Sequence, residues 1–430
     1  MDELDLVPAL PPVPIRGLRS IQCRIKHFPD HIRETFLVQL QNVRLTGRSI
    51  HYPNCLLQIT EGLINPYDER IMSLQKDTLY DGDEWSPTNQ PSVKHICLDP
   101  VYFFIYNVDN YYHFIYDALP ILAGYFFMRK TLPTLQLLIQ TSHPTKKSLP
   151  PFVTEMLRAL GIISFQFANK YTQYNQMIIG TSLTHGRQSN SPPSPQAYSI
   201  WNNRPSFESQ DLPKRFYVSR RSWAHGQTVN VGTNYTTRRK CVNEMALVYL
   251  LKEYGIIEIF TECLSTEYKL AMFAQADVVV GVIGGGMCNL LFSPQTTKSL
   301  CIVTPEFLKI NERFKYSMEH TQITYSYCTN HVESPNKYTL YTRIKVINPE
   351  SPAYGQLGEI EELLHNAYVV RMLSNDIAEF SQDFAMESRV LKEWEVEALD
   401  GGLNSPYICD LAQVEQDIIN LGLKKYTEVY

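Results

Sequence analysis

The chain has 430 residues, 44% hydrophobic and 19% charged, with a formal net charge of −5. That is the composition of a globular protein, and the length suits two cores because single cores stop growing near ~250–300 residues. The acidic balance offers no basic face for nucleic acid, and the nine cysteines, dispersed in runs such as Leu300-Cys301-Ile302-Val303, read as small buried hydrophobes.

The amino terminus is acidic and runs into Pro11-Pro12-Val13-Pro14, unlike a secretory leader. The apolar stretches at 101–105 and 121–128 fall short of the ~20 residues of a membrane span. The expectation is a soluble, cytoplasmic protein. Up to about residue 100, short β-rich runs at 35–40 and 55–59 alternate with turn clusters. Residues 111–129 are aromatic and of helix length. A strand over 135–140, a helix over 153–160 and strands over 163–165 and 176–179 follow, an alternation of the βαβ kind.

The Ser- and Pro-rich stretch 188–208 marks a domain boundary. Beyond it come strand 215–219, helix 243–254, strand 256–260, helix 265–275, strand 277–281, a glycine-rich turn, helix 287–292 and strand 299–303. This predicts a doubly wound parallel sheet. Amphipathic helices are expected over 359–372, 377–397 and 411–421. The resulting division is an α/β domain with a strand-rich opening over 1–190, a Rossmann-like domain over 210–335, and a helical tail over 340–430.

The turn Gly281-Val282-Ile283-Gly284-Gly285-Gly286-Met287-Cys288-Asn289 follows an apolar strand, where backbone N–H groups cradle phosphate. Its spacing fits a dinucleotide fingerprint poorly and suits a sugar-nucleotide diphosphate better; close helix–strand packing alone would also require such glycines. Arg220 and Arg221 end the first strand of this half, and Arg238, Arg239 and Lys240 precede the helix at Asn243-Glu244. Guanidinium groups on one rim of a sheet neutralise a departing diphosphate; separately, each cluster also reads as solvated surface.

In the first half, Asn110, Tyr112, His113 and Asp117 lie in Asn110-Tyr111-Tyr112-His113-Phe114-Ile115-Tyr116-Asp117-Ala118-Leu119-Pro120. On a helix, His113 and Asp117 share a face, and an ionisable pair among Tyr, Phe, Ile and Leu has its proton affinity shifted, as a general base for a sugar hydroxyl requires. The alternative is structural, with Asn110 capping a helix over a core histidine. Asp81-Gly82-Asp83 has the letters of a metal-binding carboxylate pair in a turn-like setting and reads as a loop. No zinc or metallohydrolase spacing occurs, and no metal is expected.

These motifs resemble, in the same order, those of glycosyltransferase family 61 (DUF563). The resemblance rests on Asn110-x-x-His113-Phe114-x-x-Asp117-x-x-Pro120, Phe216-Tyr217-Val218-Ser219-Arg220, Asn243-Glu244, Phe273-x-x-Ala276 and Gly281-x-x-Gly284-x-Gly286-x-x-Asn289, across roughly residues 95–310. That family includes β-1,2-xylosyltransferases and EGF-domain O-GlcNAc transferases. The resemblance implies a GT-B fold, two Rossmann-like domains facing a central cleft, here with a helical extension. It implies an inverting, metal-independent enzyme without a cofactor, transferring xylose or N-acetylglucosamine from a UDP-sugar to a glycan or glycoprotein hydroxyl. Asp117 would be the base with His113 beside it, and Asn110 and Tyr112 would lie on the acceptor side. Arg220, Arg239, Asn243, Glu244, Gly284, Gly285, Gly286 and Asn289 would face the donor. Ile283, Cys288 and Lys269 stand where the family usually carries His, Thr and Gln, and from Ile283 a second reading follows, a non-catalytic sugar- or nucleotide-binding relative.

Overall fold

The computed structural model describes residues 24–28, 35–46, 49–52, 55–58, 92–105, 110–140, 148–180, 182–184, 192–203, 212–221, 241–303, 312–330, 338, 342–372, 387–398 and 407–426. Asp81, Asp83, Arg238, Arg239 and Lys240 lie outside them. The fold is mixed α/β, and the chain divides into two compact units.

Unit 1 comprises Met1–Gln210 together with Ser265–Phe273 and Cys288–Phe292. Its nine-stranded sheet is built from β1 (Arg24–Phe28), β2 (Thr35–Thr46), β3 (Ser49–Tyr52), β4 (Cys55–Gln58), β5 (His95–Cys97), β6 (Val101–Ile105), β7 (Gln136–Gln140), β8 (Gln166–Phe167) and β9 (Thr172–Gly180). The order β4-β3-β2-β9-β6-β7-β8 joins an antiparallel meander to a parallel half. In the parallel half Tyr102, Phe103, Leu137, Leu138 and Ile139 are fully buried, as strands covered on both faces must be. Residues 163–165, expected as a strand, are irregular; pairing begins at Gln166, where the chain comes alongside β7.

Unit 2 comprises Asp211–Leu264, Ala274–Met287 and Ser293–Tyr430. Its first sheet contains β10 (Arg215–Val218), β11 (Ile257–Ile259), β12 (Val278–Val282), β13 (Lys298–Val303) and β14 (Gln322–Tyr327), in the order β11-β10-β12-β13-β14. All four pairings are parallel, as expected of a doubly wound sheet. The helix Glu244–Glu253 connects β10 to β11 and stops at Gly255, whose φ of 69° closes the last turn.

The tail differs from expectation. After β15 (Thr329–Asn330), residues 343–398 contain β16 (Arg343–Val346), β17 (Leu357–Leu364), β18 (Ala367–Met372), β19 (Ser388–Lys392) and β20 (Val396–Ala398), a five-stranded antiparallel sheet in the order β19-β18-β17-β16-β20. The helices expected over 359–372 and 377–397 are therefore replaced, where these residues are described, by strands, the hairpin turn at 365–366 and a short 3-10 turn at Glu393–Glu395. In β18 the buried Tyr368, Val370 and Met372 alternate with less buried neighbours, a period of two, and Asn366 at φ 59° turns the β17–β18 hairpin. After β21 (Tyr407–Ile408), the helix Leu411–Asn420 forms as expected, capped by the Asp410 carboxylate accepting from the Ala412 and Gln413 amides.

Candidate active site

Residues 111–121 form one helical run that leaves α geometry in its middle. Asn110 caps it, its Oδ1 accepting from the Tyr112 and His113 amides at 2.9 and 3.3 Å. Residues Phe114–Ala118 form a π turn, with the Leu119 amide donating to the Phe114 carbonyl, and Leu119–Ile121 tighten into a 3-10 turn. Pro120 has no N–H to offer Tyr116, so a regular ladder cannot be kept here. The shift releases the Ile115 carbonyl, which accepts instead from the Trp201 indole at 3.1 Å. Trp201 stacks on Tyr116, and Tyr116 on Tyr112, so the distorted turn rests on an aromatic column. Such π turns concentrate at functional sites.

On this turn His113 Nδ1 lies 2.8 Å from Asp117 Oδ2, and the Thr184 hydroxyl donates to Asp117 Oδ1 at 3.3 Å. The side chain of His113 is 39% exposed and that of Asp117 3%. A carboxylate behind an imidazole fixes its tautomer and direction, leaving Nε2 as the outward nitrogen. Tyr112 is buried, so it lies beneath the site rather than on an open acceptor face.

Asn289 is drawn to the same turn within unit 1. The Tyr111 hydroxyl donates to its Oδ1 at 2.5 Å, two residues before His113. Lys269 Nζ lies 4.5 Å from the Tyr111 ring centroid, and Phe152 packs edge-on against that ring. Burial, the nearby Cys288 and the Glu155 carboxylate push the Tyr111 phenol well above its ordinary value against the Asn289 hydrogen bond, so it stays a donor. Burial raises Glu155, but hydrogen bonds from Thr266 and the charges of Lys269 and Arg158 outweigh it and hold this carboxyl below its usual range. Lys269 stood out in the sequence only as a departure from the family's usual Gln, and Glu155 was missed. The signal for Lys269 was an ammonium directly before the apolar run 270–274 of the helix Thr266–Ala274; Glu155, on another helix, had no comparable one.

The other sequence-predicted residues lie in unit 2. Val218 pairs with Gly281, so Ser219-Arg220 and Ile283-Gly284-Gly285-Gly286 leave the sheet side by side at its carboxyl end. The strand order reverses between β10 and β12, the switch point at which open α/β sheets bind ligands. A Cβ on Gly286 would meet Val218 Cγ1 at 2.7 Å and Thr261 Oγ1 at 2.9 Å, whereas one on Gly285 would stand in open space. Gly286 is thus needed for close packing, and Gly285 leaves room for an approaching group. Residues Met287–Phe292 form a six-residue 3-10 segment, not the expected α-helix, so the turn itself rather than a helix dipole would form any phosphate cradle.

Glu244 and Asn243 hold structure together. Glu244 is buried, and its Oε1 accepts from the Tyr217 hydroxyl, the Ser219 hydroxyl and the Arg220 amide at 2.8, 2.9 and 3.3 Å, which shapes the end of β10. Asn243 exchanges hydrogen bonds with the Cys409 backbone at 2.8 and 2.9 Å. Arg221 is occupied by Glu258 in a two-bonded pair, with Nε 2.6 Å from Oε1. Arg220 is half-buried, and desolvation pulls its guanidinium down against the raising influence of Tyr407, Glu244, Glu262 and Tyr217, a setting in which an anionic ligand restores lost solvation. Cys241 and Cys409 are not isolated hydrophobes: their Sγ atoms are 3.5 Å apart. Among the described residues no cluster of three metal-ligating side chains occurs, and no helix is long and apolar enough to cross a membrane.

Comparison with protein families finds a similarity to glycosyltransferases. Residues 111–300, which hold both turns, match the family model described as Glycosyltransferase 61. No curated protein matches the chain.

Proposed function

We propose that the protein is an inverting GT-B glycosyltransferase that moves a sugar, xylose or N-acetylglucosamine first among candidates, from a UDP-sugar to a hydroxyl of a glycan or glycoprotein, without a metal. The observation that carries this reading is the half-exposed His113 imidazole held at 2.8 Å by the buried Asp117 carboxylate. The base is His113 and Asp117 its positioning residue, an exchange of the roles expected from the sequence, because the exposed group is the imidazole. With Nδ1–H donated to Asp117, Nε2 takes the acceptor's proton as its oxygen attacks the anomeric carbon. The anomeric C–O bond breaks and its electron pair leaves on the diphosphate of UDP. Arg220 and the Gly284–Gly286 turn, side by side at the switch point, suit that developing charge.

The test is a UDP-release assay on the full chain with a panel of UDP-sugars, with and without EDTA. Release from one donor that survives EDTA and is lost in His113→Ala supports the reading; activity that EDTA abolishes overturns its metal independence. One observation favours the second reading, a non-catalytic relative: Ile283, 1% exposed, puts an apolar side chain where the family usually carries His. That reading predicts UDP binding with no release from any donor and acceptor offered.

A further inference from the structure

Unit 1 contains a cavity of about 320 Å³ bounded by the helices Leu122–Arg129 and Pro195–Trp201 and by the sheet residues Leu37, Tyr102 and Gly180. Among the described residues its walls include none of 110–118, so it is separate from the His113 turn. Gln196, Ser199 and Ile200 of the second helix, with Asn203 just beyond its end, line the cavity, while Trp201 lies on the other side against Tyr116.

The space is kept open by its floor. The Tyr102 hydroxyl donates to the Ile121 carbonyl at 2.7 Å, and a Cβ on either Gly124 or Gly180 would meet that hydroxyl at 2.5 Å. Tyr102 is therefore pinned and cannot swing in to fill the void. The volume is about twice that of the ~150 Å³ apolar cavity known to hold benzene, and it reaches the ~300–1,000 Å³ range of small-molecule sites.

Its chemistry is divided. Leu37, Tyr102, Ile121, Leu183 and Ile200 line the interior and are buried, whereas Lys130, Ser199 and Asn203 are exposed and form the mouth. Lys130 is the one charged residue among the described lining residues, and no carboxylate stands among them to oppose it. We propose that this cavity binds an anionic amphiphile, an apolar or aromatic body inside with a carboxylate or phosphate head at Lys130. The site stands on its own residues and does not depend on the sugar-transfer reading.

The full chain is titrated with anilinonaphthalene sulfonate and with the uncharged N-phenylnaphthylamine, which has similar rings and no anion. One equivalent of each binds with enhanced fluorescence. Ser199→Trp, which fills the mouth, abolishes both. Lys130→Gln weakens the sulfonate about tenfold and leaves the neutral probe unchanged, as the loss of one charge-assisted contact requires. Thermal unfolding checks that the variants fold, and Ala123→Leu narrows the same cavity if Ser199→Trp does not. Failure of either probe to bind, binding that survives filling of the cavity, or equal weakening of both probes by Lys130→Gln overturns the proposal.

Discussion

The turn that carries His113 and the strand ends that carry Arg220 hold their polar groups by opposite means. Around His113 the backbone departs from a regular ladder, and a distant side chain, the Trp201 indole, satisfies the carbonyl set free. Around Arg220 the sheet is regular, and one buried side chain, Glu244, gathers the hydroxyls and amide at the end of β10. The first arrangement aims one imidazole from an aromatic column. The second gathers groups at the end of one strand, and the pairing of β10 with β12 brings the glycine turn alongside. Damage to the first should appear in rate, and damage to the second in folding and binding.

The largest effect expected is in the first region. His113→Ala lowers turnover by ~10²–10⁴-fold while calorimetry finds UDP binding kept. Asp117→Asn gives a smaller loss that falls on kcat and spares KM, a split that a folding defect does not produce; equal loss of UDP binding in both variants would mean that the pair is structural. The second region is read by two neighbouring glycines. Gly286→Ala forces a Cβ against Val218 and Thr261 and costs about 1–3 kcal/mol in denaturant unfolding. Gly285→Ala, whose Cβ meets open space, stays within about 0.5 kcal/mol.

Smaller effects test the link from Asn289 to the first region. Tyr111→Phe removes the hydroxyl donated to Asn289 and costs about 1 kcal/mol, measured by urea midpoint. The smallest is seen only as a function of pH. The Glu155 carboxyl is held below its usual range in the folded state, so its stabilisation is present above the unfolded value of ~4.3 and is lost as pH falls through the folded value. The gap in urea midpoint between the native chain and Glu155→Gln is therefore full at pH ~7 and narrows as pH falls below the unfolded value of ~4.3. A gap that widens in acid would reverse the assignment.

Much of the second half was legible because each element has one period and one stop signal. The all-apolar β12 can only be a doubly covered strand, and the glycine turn follows it directly. The tail was misread because β17 and β18 place apolar residues at spacings that satisfy both three-to-four and two. The deciding sign was Asn366, a residue tolerant of positive φ, in the middle of the supposed helix. The His113–Asp117 pairing was readable from its spacing of four. Which member faces outward was not, because that depends on Thr184, 67 residues along the chain from Asp117. The Cys241–Cys409 contact was hidden for the same reason, across 168 positions.

The interleaving of unit 1 with later segments has a consequence for the order of synthesis. Tyr111 finds Asn289, and Glu155 finds the Thr266 amide, only after those segments have left the ribosome. A nascent chain that has reached residue 210 has its whole nine-stranded sheet but lacks Ser265–Phe273 and Cys288–Phe292. The first half to be translated is thus not the first to be finished, and the His113 turn receives its last neighbours when the glycine turn has been made.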